Sequence, residues 1–267
     1  MTITNIAGYK FISLHDLNEL RAKFLKVTTA LNLRGTILLS EEGINFSLAA
    51  AGDAIASFKS FLKQDERFAD ITFRESISAA QPFKFLKVKI RKEIITMRRP
   101  EVRPDQERAP SISPQQLKQW LDEKRDVTML DTRNDYEVRF GSFENAVHFE
   151  LADFNDFPEA TEKLNTTKPV VMFCTGGIRC EKAAIHLQNA GFPEVYQLDG
   201  GILNYFSEVG GEHYQGECFV FDHRVSVNAQ LKESGTVQCK VCYGPVTPKE
   251  QESLEYIADV SCPSCNK

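Results

Sequence analysis

The run Val170-Val171-Met172-Phe173 stops at Cys174, and Thr175-Gly176-Gly177-Ile178 lead from it to Arg179, Cys180 and a helical pattern. A free thiol, with a pKa of about 8.5, is mostly protonated at neutral pH, and the thiolate is the nucleophile. Two features here favour the thiolate: the unsatisfied N–H groups of a helix start carry partial positive charge, and Arg179 stands nearby. Gly176 and Gly177 let the loop curl, so that the N–H groups from Thr175 to Ile178 point at one spot. The segment therefore reads as a nucleophilic sulfur in an anion cradle. A cysteine that merely packs at a strand end would need neither the glycines nor the arginine. Cys180, near the helix start, is a candidate to resolve an oxidised Cys174, with core packing as the other reading.

A second cysteine arrangement occupies the C-terminal tail. Cys239-x-x-Cys242 and Cys262-x-x-Cys265 are separated by nineteen residues, within the two-knuckle zinc pattern. Four thiolates can close a tetrahedral shell and organise a tail too short for its own core. Structural zinc is the expectation, with a thiol redox pair or an unmetallated tail as alternatives. Cys218 stands apart from both pairs and reads as a buried packing residue.

The third constellation is basic. Phe83 to Arg99 carries Lys84, Lys87, Lys89, Arg91, Lys92, Arg98 and Arg99 against the single acid Glu93. Lys87, Lys89 and Arg91 lie two apart, so a strand places them on one face. Such a row can neutralise phosphates, although a solvated strand face reads the same way. Charge is unevenly spread: residues 1–110 hold 18 Lys+Arg and 13 Asp+Glu, whereas residues 111–267 hold 14 and 24. The asymmetry agrees with a polyanion partner for the first part.

At 267 residues, 42% hydrophobic and 26% charged, the chain has room for two domains with real cores. Apolar runs of membrane-spanning length are missing, and Met1-Thr-Ile-Thr-Asn lacks a signal-peptide pattern. Cysteine usage suits a reducing cytosol, so a cytoplasmic protein is expected. Residues 1–97 read as strand (Tyr9 to Leu14), helix (His15 to Leu31), two strands (Gly35 to Leu39 and Ile44 to Leu48), helix (Asp53 to Leu62, with Asp53 as a possible cap) and later strands (Ile71 to Arg74 and Phe85 to Ile90). This order describes a ferredoxin-like, acylphosphatase-like α+β sandwich. Residues 98–113 read as a Pro-rich linker, after which Ser113 caps a helix with Pro114 at its first position. From 114 to 210, short apolar strands (Val127 to Leu130, Val170 to Phe173 and Val195 to Leu198) alternate with helices, including Ala183 to Ala190. That pattern predicts an α/β domain with a covered parallel sheet, with Cys174 at a strand's carboxyl end. Residues 211–267 form the Cys-rich segment.

The Cys174 loop resembles the active-site loop of rhodanese domains, in which the cysteine carries sulfur as a persulfide. Met129 to Glu137, Gly141 to His148 (with Ser142 and Phe143 replacing the usual His and Ile) and Val195 to Ile202 resemble other rhodanese segments. Cysteine-dependent phosphatases place five residues between Cys and Arg; here four intervene, a cradle tighter than a tetrahedral phosphate needs. Ser40-Glu-Glu-Gly-Ile-Asn45, Phe173 to Ala183, Gly216-Glu-Cys-Phe-Val-Phe-Asp222 and the paired tail cysteines together resemble the rhodanese-type tRNA uridine hydroxylases, the TrhO family. Phe46-Ser47 departs from the glycine and small hydroxyl residue usual there. The resemblance implies oxygen-dependent hydroxylation of the tRNA wobble uridine to 5-hydroxyuridine, with oxygen as co-substrate and tRNA as partner. Cys174 would be the nucleophile, Arg179 and the loop would stabilise negative charge, and Lys84, Lys87, Lys89, Arg91 and Lys92 would bind tRNA. The sequence carries no haem, flavin or non-haem iron signature, and no electron-donor site is legible in it. The alternative function on the same loop is a thiosulfate sulfurtransferase or sulfur-relay persulfide carrier.

Overall fold

The computed structural model describes residues 2–165 and 167–266. The chain divides into two compact units, one made of residues 1–109 with 181–191, the other of residues 110–180 with 192–267.

The first unit contains β1 (Ile3–Phe11), α1 (Leu17–Ala30), β2 (Arg34–Ser40), β3 (Gly43–Ala50), α2 (Gly52–Lys63), β4 (Arg74–Ser78) and β5 (Leu86–Ile90). Its sheet runs β4-β1-β3-β2-β5. The first four strands pair antiparallel in the ferredoxin-like order, and β5 adds to β2 in parallel at the edge. The helices bury one stripe each, Leu20, Phe24 and Thr28 on α1 and Ile55, Phe58 and Leu62 on α2. Phe24 meets Phe61 edge-on and Phe46 meets Phe58 likewise. Such pairs add about 0.5–1.5 kcal/mol to burial itself. Three boundaries differ from the sequence reading. β1 begins at Ile3 because pairing with β3, from Thr4↔Ala50 onward, satisfies backbone that the weak alternation did not mark. Of the expected strand Ile71 to Arg74 only Arg74 is in a strand; the edge strand is the polar Arg74–Ser78, held by Ile3–Ala7 of β1. Asp53 does not cap α2, whose N-cap is Ala51; its carboxylate accepts the Ala54 N–H.

The second unit contains β6 (Ser111–Ile112), α3 (Pro114–Asp122), β7 (Thr128–Asp131), α4 (Asp135–Val138), β8 (Gly141–Phe143), α5 (Phe157–Ala160), β9 (Val170–Phe173), the start of α6 (Ile178–Asn189), whose residues from Glu181 on belong to the first unit, β10 (Val195–Leu198) and α7 (Gly201–Val209). The parallel sheet runs β6-β10-β9-β7. All four residues of β9 are buried, as expected for a strand covered on both faces. The Ser113 hydroxyl accepts the Gln116 N–H at the start of α3. Residues read as linker are more ordered than their prolines suggest: Val102 and Ala109 are buried, and Ser111–Ile112 pairs with Gln197–Leu198. Proline removes only a donor, and the Pro110 carbonyl still accepts from Gln197. The helix after the thiol loop starts at Ile178 instead of Ala183, its first turns being polar yet buried.

The remaining segment carries β11 (Tyr214–Gly216), β12 (Cys218–Phe219), β13 (Ser226–Val227), β14 (Val237–Gln238), β15 (Pro245–Val246) and α8 (Pro248–Gln251). β11 pairs with β8, β12 with β13 and β14 with β15. The Glu217 carboxylate gathers hydroxyls from Ser226, Ser234 and Thr236 at 2.6, 2.6 and 3.1 Å. No helix among the described residues is long and apolar enough to cross a membrane.

Candidate active site

Cys174 leaves the carboxyl end of β9 and sits beneath the first turn of α6, only 1% exposed. The Gly177 N–H donates to its sulfur at 3.1 Å. The loop can place that donor because Gly177 adopts φ +99°, a conformation that only glycine takes readily. Gly176 has no such requirement, and a Cβ added there meets nothing within 4 Å, so this side of the loop is open. Burial alone would raise the Cys174 pKa. The Cys180 thiol, the Arg179 charge and the N–H groups of Arg179 and Gly177 outweigh it and bring the pKa down to about 6. Cys180 moves the opposite way: burial and the Cys174 thiolate push it well above the ordinary range. The two thiols titrate as a pair in which Cys174 is the more readily ionised. Thr132 Oγ1 stands 3.7 Å from the Cys180 sulfur.

Arg179 does not present its guanidinium fork to the loop. Nη1 and Nη2 donate to the two Glu137 oxygens at 2.5 and 2.7 Å, an ion pair with both side chains buried. Glu137 is saturated, since its oxygens also accept the Thr175 hydroxyl at 3.3 Å and the Asn134 N–H at 3.2 Å. Four bonds fill the lone-pair sites of a carboxylate. The fork of Arg179 is thus engaged by Glu137, while its charge still lowers the Cys174 pKa. Sequence reasoning did not single out Glu137; its position at N3 of α4, three after Asn134, was the available signal.

A second support lies under the loop. The N–H groups of Ile202 and Leu203 at the start of α7 donate to the carbonyls of Cys174 and Thr175 at 2.9 and 3.1 Å. Gly201, with φ +65°, makes this approach possible. A Cβ there would lie 2.3 Å from the Cys174 carbonyl oxygen, 2.8 Å from the Gly177 nitrogen and 2.9 Å from the Thr175 carbonyl oxygen. Beside the loop, Arg179 stands 6.0 Å from the centroid of Phe221, a ring 58% exposed and packed edge-on against Phe219. Cys218 lies buried in this region and burial pushes its thiol up to about 12, as suits a packing cysteine.

Within the first unit, Lys87 and Lys89 flank the buried Val88 on β5, and Arg91 follows the strand end. Lys84, Lys87, Arg91 and Lys92 are exposed, Lys89 is half-buried, and none of the five is ion-paired among the described residues. Glu93, the single acid of this stretch, holds the buried Lys182 amine at 2.7 Å together with Glu42 at 2.8 Å and the Ile95 carbonyl at 3.0 Å. The Ser40-to-Asn45 turn thus acquires a role that its sequence did not reveal. Glu42 accepts the Ile94 N–H at 2.7 Å, and the Asn45 amide donates to the Ile94 carbonyl at 3.1 Å. In the tail, the sulfurs of Cys239, Cys242, Cys262 and Cys265 all lie within 4.8 Å of one another.

Residues 3–94 match the family described as the UPF0176 acylphosphatase like domain, and residues 113–208 match the rhodanese-like domain. Full-length relatives are close. A tRNA uridine(34) hydroxylase of Cupriavidus taiwanensis is 52% identical over 99% of this chain and 97% of its own length. The protein of the same name from Cupriavidus necator is 53% identical with the same coverage, and that of Ralstonia nicotianae is 50% identical. The chain belongs to the tRNA uridine(34) hydroxylase family.

Proposed function

We propose that this chain hydroxylates carbon 5 of uridine 34 in tRNA to 5-hydroxyuridine, with dioxygen as co-substrate and Cys174 as nucleophile. The observation that carries the reading is the thiolate-stabilising loop, complete in a chain that matches relatives of that name from end to end. Carbon 6 of uracil is electron-poor. Addition of the Cys174 thiolate there forms a C–S bond and shifts electron density to carbon 5 and the carbonyl at carbon 4, which makes carbon 5 reactive toward an oxidant. Expulsion of the thiolate and loss of the proton from carbon 5 then restore the ring.

The electron balance fits the two cysteines. One oxygen atom of dioxygen goes to carbon 5, and the other leaves as water with two electrons and two protons. Cys174 as thiolate and Cys180 as thiol supply the two electrons and one proton on closing to a disulfide, solvent water supplies the second proton, and a small-molecule thiol reduces the pair for the next turnover. The open side at Gly176 and the exposed Phe221 ring offer an approach and a stacking face for an unstacked base. The row Lys84, Lys87, Lys89, Arg91 and Lys92 would hold the tRNA backbone.

The test is nucleoside mass spectrometry of tRNA from a bacterial strain lacking 5-hydroxyuridine and its derivatives, complemented with the wild type or Cys174→Ala. 5-Hydroxyuridine is expected with the wild type alone, and label from ¹⁸O₂ is expected in it. Product from Cys174→Ala removes the nucleophile assignment, and unlabelled product removes dioxygen as the oxygen source. Robust thiosulfate sulfur transfer without 5-hydroxyuridine would move the chain to the sulfurtransferases.

A further inference from the structure

The tail has almost no hydrophobic core of its own. From Val237 on, the regular structure of its described residues is two two-residue strands and one helical turn, and its cluster of buried residues is Cys239, Val246 and Cys262. Cysteines are thus the centre of the segment. All four are free, so no disulfide orders it.

Their spacing is specific. Cys239 and Cys265 sulfurs are 3.9 Å apart, Cys242 and Cys262 are 3.6 Å apart, and Cys262 and Cys265 are 3.5 Å apart. A disulfide would need about 2.05 Å. A single metal ion bound tetrahedrally at about 2.3 Å to each thiolate requires sulfur–sulfur edges of about 3.8 Å. The backbone is arranged for charged sulfurs as well: the Val241 N–H donates to the Cys239 sulfur and the Cys262 N–H to the Cys265 sulfur, both at 3.4 Å. These bonds run inside the two Cys-x-x-Cys turns.

One further group points at the cluster. Arg139, which follows α4, donates through Nη1 to the Cys242 carbonyl at 2.5 Å and through Nη2 to the Cys242 sulfur at 3.9 Å. Gly244 makes room for it, since a Cβ there would stand 2.5 Å from Arg139 Nη2. A guanidinium beside a tetrathiolate offsets part of the excess negative charge that four thiolates leave on a divalent ion.

We propose that Cys239, Cys242, Cys262 and Cys265 hold one zinc ion in a closed tetrathiolate site, with Arg139 as its outer partner. A shell of four cysteines leaves no position for a substrate, so the ion is structural. Its binding supplies the ordering that the small cluster lacks.

The test uses the full chain purified without added metal. Elemental mass spectrometry is expected to find about one zinc per chain, and Cys242→Ser/Cys262→Ser is expected to lose it. Because that variant can unfold, the wild type carries an independent measurement. With zinc bound, the four tail cysteines should resist iodoacetamide, and stripping the metal with a chelator should expose them, as read by peptide mass spectrometry. Arg139→Met should keep one zinc but bind it about 10-fold more weakly or worse in a competition with a chelating dye. Wild type without zinc, stoichiometric iron in its place, or tail alkylation indifferent to metal would overturn the site. Unchanged affinity in Arg139→Met would overturn the role of the arginine.

Discussion

Replacing Gly201 by alanine tests whether the thiol loop depends on the turn beneath it. The added Cβ would lie 2.3 Å from the Cys174 carbonyl oxygen, a separation that real Cβ atoms essentially never show below 3.0 Å. The loop must therefore retreat by at least about 0.7 Å, and the atoms it meets are backbone that cannot rotate aside. The left-handed backbone at φ +65° adds about 1–2 kcal/mol for a residue with a Cβ. Retreat also stretches the Ile202-to-Cys174 and Leu203-to-Thr175 hydrogen bonds, each worth about 1 kcal/mol. The expected loss of stability is about 2–4 kcal/mol. Misplacement by about 1 Å can lower a rate about 10²-fold, so 5-hydroxyuridine should fall by about that factor in a purified assay while the far-ultraviolet circular dichroism stays native. Gly176→Ala is the matched control, because a Cβ there meets nothing within 4 Å; its melting temperature should stay within about 2 °C of wild type. Wild-type stability and turnover in Gly201→Ala would refute the argument that the turn positions the loop.

Three other perturbations follow from the same geometry. The Cys180 thiol favours the Cys174 thiolate and helps bring its pKa down; Cys180→Ala should move the midpoint of Cys174 alkylation against pH upward from about 6, slowing alkylation at neutral pH, whereas Cys180→Ser should lie closer to wild type, and a midpoint unchanged in the alanine variant would contradict the coupling of the two thiols. Neutralising Lys87, Lys89 and Arg91 together should weaken tRNA binding and flatten its logarithmic salt dependence by about 0.7–0.9 per lost phosphate contact, and an unchanged slope would remove these residues from the interface. Glu137→Gln leaves the buried Arg179 charge without its carboxylate and should cost about 3–5 kcal/mol in urea unfolding, while a loss below about 1 kcal/mol would show that the pair is not central to the domain.

What the sequence revealed follows from how local each feature is. The alternation of helix and strand, the Ser113 cap and the position of Cys174 after β9 depend on neighbours within one turn or strand, and periodicity carries them. Gly177 is likewise local. Glu137, Gly201 and Lys182 matter through partners that are distant in sequence: Glu137 binds Arg179 forty-two residues on, and Lys182 meets Glu93 eighty-nine residues away. No period marks such pairs. The beginning of α6 was hidden because Arg179, Glu181 and Lys182 look like a solvated turn, yet all three are buried. The edge strand Arg74–Ser78 was missed for the opposite reason, since a polar edge strand has no apolar face to mark it.

The saturation of Glu137 bears on what holds the thiolate. Arg179 and Glu137 form a buried pair of opposite charges, and at the sulfur such a pair acts closer to a dipole than to a free cation. The Gly177 N–H, by contrast, is aimed at the sulfur from 3.1 Å and is fixed by the helix start. Preorganised backbone donors of this kind need no rearrangement to stabilise charge. Arg179→Lys separates the two contributions. Lysine keeps the charge but cannot make the two-pronged bond to Glu137, and losing one charge-assisted hydrogen bond should cost about 1.5–3 kcal/mol of stability. If the backbone donors dominate, the alkylation midpoint of Cys174 should stay well below the ordinary thiol value of about 8.5 in Arg179→Lys, whereas Gly201→Ala, which shifts the donors themselves, should raise it more. An equal or larger rise in Arg179→Lys would assign the thiolate to the arginine and reduce the loop N–H groups to a secondary part.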